Sequence, residues 1–292
     1  MNNILKILLT IALLSIVSVN IDGQHKKAYQ IFDASGNKSN YKLMFEQAIT
    51  NNVILFGELH NNPICHWLQY ELTKDIHSIA GNNLIIGAEM FEADNQLIIN
   101  EYLEGLISER NFNSEAKLWS NYETDYKPVF EYAKDNGLSF VATNIPRRYA
   151  AMVNRGGFEA LKTLSEKALS YIAPLPVEYD PELPGYKQML EMSQMPAHVS
   201  ENLPKAQAVK DATMAHFINK NLADDTILLH LHGTYHSNNY EGIVWYLNNI
   251  DEEMKIMTIS TVEQTEIEAL DGKNHGLADF IIVITDTMTK TY

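Results

Sequence analysis

Cysteine occurs once, at Cys65. A disulfide framework, a Cys-rich zinc module and an iron–sulfur cluster are therefore excluded within one chain. Positive charge is also scarce: 22 Lys and Arg stand against 37 Asp and Glu, a formal net charge of −15. That acidity is spread along the chain rather than gathered in a tail, which argues against nucleic acid or an anionic membrane face as a partner. No internal repeat and no low-complexity tract is present, so solenoid and fibrous designs drop out. What remains is a chain of 292 residues, 46% apolar and 10% aromatic. It can build a real core, as one large domain or as a core domain with a sizeable insertion.

The first 24 residues read as a leader. Lys6 gives a sparse positive start, an apolar run from Ile7 to Val19 follows, and polar residues end it. The run is short for a membrane span and suits a secretory signal peptide over residues 1–23, with an uncleaved anchor as the alternative. No cysteine follows it, so a lipoprotein anchor is not available there. The expectation is an exported protein, periplasmic or at the cell surface, that could associate with a membrane only through a retained N-terminal segment.

Beyond the leader, strand and helix alternate. The short apolar runs at 53–56, 84–88, 138–143, 226–231, 255–259 and 279–284 suit strands buried on both faces. Residues 41–50 look helical, and Asn62-Pro63 offers a cap and an N1 proline for a helix that reaches Gly81. Further helices are expected over 126–136, from Pro146 onward and over 242–247. This pattern predicts an α/β fold with a mainly parallel sheet flanked by helices. Two stretches break the alternation: a helical excursion at about 94–119, and residues 149–221. The latter hold six of the nine prolines and a stripe of Met189, Met192 and Met195. The expected organisation is a first core segment at 24–148, a smaller helical subdomain or cap at 149–221, and a second core segment at 222–292.

Ligands of open α/β sheets bind beyond the carboxyl ends of the strands. Those ends carry Gly57-Glu58-Leu59-His60, Glu89-Met90-Phe91-Glu92, Asn144-Ile145-Pro146-Arg147-Arg148 and His230-Leu231-His232-Gly233-Thr234-Tyr235-His236. Four strand ends thus bring histidines, carboxylates and two arginines to one rim. Glu58 and His60 share a face by the period of two, as do His230 and His232, of which His232 lies nearer the rim. Glu89, directly after an apolar strand, needs a cation or a pairing to be buried. Arg147 and Arg148 oppose the dipole at a helix N-terminus, which fits a bound anionic group or pairing with Glu89 or Glu92.

Two chemistries suit this set. Histidines with carboxylate can hold a catalytic divalent metal such as Zn or Mn, with His60, His236 and His232 as candidate ligands and Glu58 or Glu89 as ligand or general base. The fixed spacing H-E-x-x-H is absent, so the signal is one of convergence. Alternatively, haem iron takes His or Tyr, and Arg147 and Arg148 could receive propionates. Covalent attachment is excluded because C-x-x-C-H is missing.

The order of Gly57-Glu58-Leu59-His60, Gly87-Ala88-Glu89-Met90-Phe91-Glu92, Asn144-Ile145-Pro146-Arg147, the Lys205–Ala215 segment KAQAVKDATMA and Gly233-Thr234-Tyr235-His236 resembles the ChaN-like haem-binding uptake proteins of the Tiki superfamily. The resemblance spans roughly residues 41–284. It implies an exported bacterial protein of haem or iron acquisition that binds haem between paired subunits through tyrosine, here a homodimer when haem-bound. Candidates for that tyrosine are Tyr149, Tyr179, Tyr186 and Tyr235. The superfamily also includes metal-dependent proteases and esterase-like enzymes built on two G-x-x-H motifs and a glutamate, which map onto Gly57–His60, Gly233–His236 and Glu58 or Glu89. The leading expectation is thus haem binding, with a metal-dependent peptidase or esterase as the alternative.

Overall fold

Six of the apolar runs become parallel strands because both faces of each are covered. The computed structural model describes residues 26–192 and 201–292. The leader at 1–23 and Met195 of the methionine stripe lie outside the described residues. Strands β1 (Tyr29–Asp33), β2 (Lys38–Ser39), β3 (Val53–Glu58), β4 (Leu84–Glu92), β5 (Ser139–Asn144), β6 (Ile227–Gly233), β7 (Ile256–Gln264) and β8 (Phe280–Thr285) form one sheet in the order β2-β1-β8-β7-β3-β6-β4-β5. From β8 to β5 every pairing is parallel. The fold is α/β with a mainly parallel sheet, as its sequence pattern predicts.

The helices are α1 (Tyr41–Ala48), α2 (Pro63–Ala80), α3 (Gln96–Leu103), α4 (Glu109–Glu115), α5 (Lys127–Asp135), α6 (Arg147–Gly156), α7 (Glu166–Leu169), α8 (Pro184–Met192), α9 (Leu203–Asn221) and α10 (Ile243–Ile250). Successive side chains of a strand point to opposite faces. On β3, Ile54 and Phe56 enter a core with Leu68 and Leu72 of α2 and Phe130 of α5, whereas Val53 and Leu55 meet Val153 of α6, Val209 of α9 and Leu247 of α10. The helices of residues 149–221 that carry Val153 and Val209 therefore cover one face of the sheet. Helix α2 starts where its sequence directs: the Asn62 side chain accepts the Ile64 N–H at 3.0 Å, and Pro63 fills the first turn.

Strands β1 and β2 arise in a segment that reads as a polar lead-in. Their apolar content is slight, only Ile31 and Phe32 being buried, because β1 joins β8 antiparallel near the sheet edge. The turn is held by Asp33, whose Oδ1 accepts the N–H groups of Ser35 (3.0 Å) and Asn37 (2.8 Å), with Gly36 at φ 84°. The 94–119 excursion resolves into α3, α4 and a loop that brings Trp119 back to the strand ends.

Chain order places the site. After β3 the chain skips one position to β4, moves outward to β5, and only later fills the gap with β6 before continuing to β7 and β8 on the other side. Direction reverses at β3, β6 and β4, the place where crossovers part and leave a crevice at the carboxyl ends.

Candidate functional site

Glu58 ends β3 fully buried and accepts three hydrogen bonds. They come from Tyr126 Oη (2.8 Å) and His60 Nδ1 (2.9 Å) at Oε1, and from Gln69 Nε2 (2.5 Å) at Oε2. That donor count meets the cost of burying a carboxylate. The His60 loop is fixed from behind, its carbonyl accepting from His66 Nε2 (3.1 Å) and Asn121 Nδ2 (3.0 Å). With Nδ1–H given to Glu58, His60 Nε2 has no hydrogen-bond partner among the described residues and faces Gly233, where an added Cβ would meet it at 2.7 Å. Trp119 packs edge-on against the ring, with centroids 4.9 Å apart. Burial lowers the His60 pKa, but the hydrogen bond and charge of Glu58 outweigh it and hold the imidazole above its ordinary value.

A second chain of contacts crosses from β4 to α9. Glu89 Oε2 accepts the Gly233 N–H at 2.8 Å, and Oε1 accepts from His236 Nε2 at 3.1 Å. His236 Nδ1 donates in turn to Asp211 of α9, whose other oxygen accepts from Tyr186 Oη at 2.9 Å. All four side chains are buried. Burial disfavours a charged His236, yet Glu89 and Asp211 prevail and push it up to about 9. Burial likewise raises Glu89, and the imidazolium more than reverses this, holding the carboxyl well below its usual range. Burial outweighs the imidazolium at Asp211 and raises its carboxyl, and the arrangement favours a protonated His236 held between Glu89 and Asp211.

His232 lies deeper than its position near the strand end suggests. It is fully buried, with Nε2 2.8 Å from Ser237 Oγ and Nδ1 3.1 Å from His230 Nδ1, and burial pushes it down to about 3. His230 is tied to Thr143 Oγ1 at 2.7 Å. Both are neutral core groups, and His232 is not on the rim as a ligand would be. Gly87 makes room for them, since an added Cβ there would stand 2.8 Å from the His230 ring. Arg147 Nε donates to Glu92 (2.5 Å) and Arg148 to Asp94 (2.6 Å), with Lys117 also on both acids. These pairings explain how two arginines are tolerated at the start of α6.

Of the four tyrosines, Tyr149 receives Arg148 on its hydroxyl and ring face, Tyr179 stacks on Tyr186, and Tyr186 is buried on Asp211. Tyr235 is 41% exposed and donates to the Gly185 carbonyl at 2.9 Å. It lines a cavity of about 530 Å³ whose walls include Leu59, Met189 and Leu203, with His60 and His236 at its floor. A second cavity, of about 690 Å³, opens on the other side of the same two histidines, towards Trp119, Asn144, Arg147 and Lys210. Among the described residues, no group of three His, Cys, Asp or Glu stands ready for a metal ion. Glu58, Glu89, His236 and Asp211 are engaged with protein partners, and only His60 Nε2 stands open among these site groups.

Asp211 and Lys210, present in the sequence reading only within the Lys205–Ala215 segment, and Asn144, present only within a strand end, were given no role by the sequence, and the structure places all three beside the histidines. Asp211 carried a usable signal: it is an acid on the apolar stripe of α9, between Ala208 and Ala212 and beside Met214, all buried. A charge on a buried helix face has to find a partner.

The family model described as haem-binding uptake, Tiki superfamily, ChaN matches residues 44–247. No curated protein matches the chain. Among solved structures, that of cofacial haem binding to ChaN of Campylobacter jejuni superposes with a TM-score of 0.67 at 19% identity, covering 89% of this chain and 98% of that one. Weaker likeness extends to a succinoglycan biosynthesis protein (TM-score 0.48, 11% identity, 92% and 97% covered) and to an erythromycin esterase in its open conformation (0.46, 13%, 89% and 83%). The fold is that of the Campylobacter protein, and the chain belongs to the haem-binding uptake family of the Tiki superfamily, ChaN.

Proposed function

We propose that this protein binds haem in the cavity walled by Leu59, Met189, Leu203 and Tyr235, and serves haem or iron uptake outside the cytoplasm. The observation that carries the reading is the apolar cavity of about 530 Å³ set directly against His60 and Tyr235. An apolar slot with a few placed polar groups is what a flat, largely hydrophobic macrocycle requires. The donor set fits. Glu58 fixes the His60 tautomer and leaves Nε2 open, the carboxylate–histidine arrangement that presents a ring nitrogen to a metal. Tyr235 is the one of the four candidate tyrosines that lines the cavity. His236 is spent on Glu89 and Asp211 and serves to hold the floor. Haem, when bound, supplies an iron that takes axial ligands and two propionates that seek cations. Tyr235, exposed where it lines the cavity, supports pairing of two copies there, and the apolar run at 7–19 supports export.

Hemin titrated into the purified protein is expected to give a Soret band that saturates at fixed stoichiometry. Growth of absorbance without saturation, as for hemin in buffer, overturns the reading.

A second reading, hydrolysis of peptide or ester bonds, is favoured by one observation: the open Nε2 of an imidazole oriented by Glu58 beside a buried Glu89 has the form of a general base. Binding Zn or Mn through His236 Nε2 would displace its contact with Glu89 and could keep Nδ1–H on Asp211. Ester or peptide turnover that disappears in His60→Ala supports this reading, and turnover unchanged by that substitution removes it.

A further inference from the structure

The second cavity is independent of the haem reading; apart from His60 and His236, the lining residues differ. Two of its groups are unmatched. Asn144, at the end of β5, is 9% exposed, and its Oδ1 is buried with no hydrogen-bond partner among the described residues. A buried acceptor left without a donor costs about 1–3 kcal/mol, so it marks a place where something donates. Lys210, from α9, lines the same cavity, is half-buried, and makes no hydrogen bond or ion pair among the described residues beyond its field on neighbouring Asp211, whereas Arg148 and Lys117 are paired with acids. Among the described residues, Arg147 pairs only through Nε, on Glu92, and leaves both terminal nitrogens over. The cavity's own acids are already matched: Glu89 holds the His236 imidazolium and the Gly233 N–H, and Glu92 holds Arg147 and Lys117. A surplus cation and a surplus acceptor therefore face one space, beside the Trp119 ring.

We infer that this cavity binds a small hydroxycarboxylate, its carboxylate on Lys210 and the terminal nitrogens of Arg147, its hydroxyl donating to Asn144 Oδ1. Each half of the ligand answers one unmatched group. A simple carboxylate would satisfy the cations and leave Asn144 orphaned; a neutral alcohol would do the reverse. A pocket that hydrogen-bonds a hydroxyl discriminates strongly against the analogue lacking it, because the buried acceptor is then left unpaired.

Calorimetric titration of the protein as purified, with malate against succinate and citrate against tricarballylate, tests this. Each pair differs by one hydroxyl at equal charge. The hydroxy acid of at least one pair is expected to bind about tenfold tighter than its partner, one buried hydrogen bond's worth. Asn144→Leu is expected to erase that preference while leaving the affinity of the plain acid, and Lys210→Met to weaken both members of the pair. Equal binding within both pairs, or no binding of any of the four, overturns the proposal, as does a preference that survives Asn144→Leu. The comparison on the unaltered protein decides the question even if a variant fails to fold.

Discussion

Raising the pH from 6.5 to 9 should remove much of the stability that the buried Glu89–His236–Asp211 group contributes. His236 has its pKa raised from an ordinary 6.5 to about 9 in the folded chain. A histidine whose folded pKa is raised contributes stability that is fully present below the unfolded value and is lost as pH rises through the folded one. At 1.36 kcal/mol per pKa unit the ceiling is about 3 kcal/mol, with a limiting slope of about one proton. The titration belongs to the three side chains together, so the figure applies to the group. His60, also raised, acts with the same sign. His216, His230 and His232 are lowered and act with the opposite sign: still half-protonated in the unfolded chain at pH 6.5, the three together return about 1 kcal/mol as the pH rises. Glu89, lowered, is ionised in both states there, and Cys65, pushed up to about 12 by burial, contributes only once the unfolded thiol ionises near 9.

The assay is urea unfolding at intervals across this window, with EDTA present, for the protein and for His236→Gln. The unfolding free energy of the parent is expected to fall by about 2 kcal/mol net, and that of the variant to stay nearly level or rise slightly as the lowered histidines offset His60. A parent whose stability is flat over the window, or a variant that keeps the parent's slope, would refute a cationic His236.

Other consequences follow from close approaches at the strand ends. Gly87→Ala places a methyl 2.8 Å from the His230 ring in a sheet paired on both sides, and urea unfolding should register a loss of about 1–3 kcal/mol. Gly233→Ala puts a Cβ 2.7 Å from His60 Nε2, so it should displace that ring and weaken hemin binding more than it lowers the melting temperature. Tyr126→Phe removes one of three donors to buried Glu58 and should cost about 1–3 kcal/mol, read from urea midpoints.

Much of the sheet was legible because its central strands are continuous apolar runs, the mark of strands covered on both faces. Strands β1 and β2 escaped because edge strands bury little: two apolar residues and an aspartate-held turn leave no run to read. At the site, the rule that ligands gather at strand ends led to Glu58, His60, Glu89 and His236, which β3, β4 and β6 bring around Gly233. It could not say how deep each histidine lies. His232 and His236 are four residues apart, yet one faces Ser237 inside the sheet and the other Asp211 across the crevice. That difference is tertiary, set by where α9 packs. The same helix supplied Asp211 and Lys210, whose sequence neighbours are ordinary core residues.

The central claim is that the apolar cavity beside His60 and Tyr235 holds haem. Its most direct test is a hemin titration followed by absorption and electron paramagnetic resonance on the protein, on His60→Ala and on Tyr235→Phe. The account predicts a saturable haem complex in the parent whose spectrum changes ligand character in at least one of the two variants. A saturable complex with identical spectra in all three, or none in the parent, would contradict it.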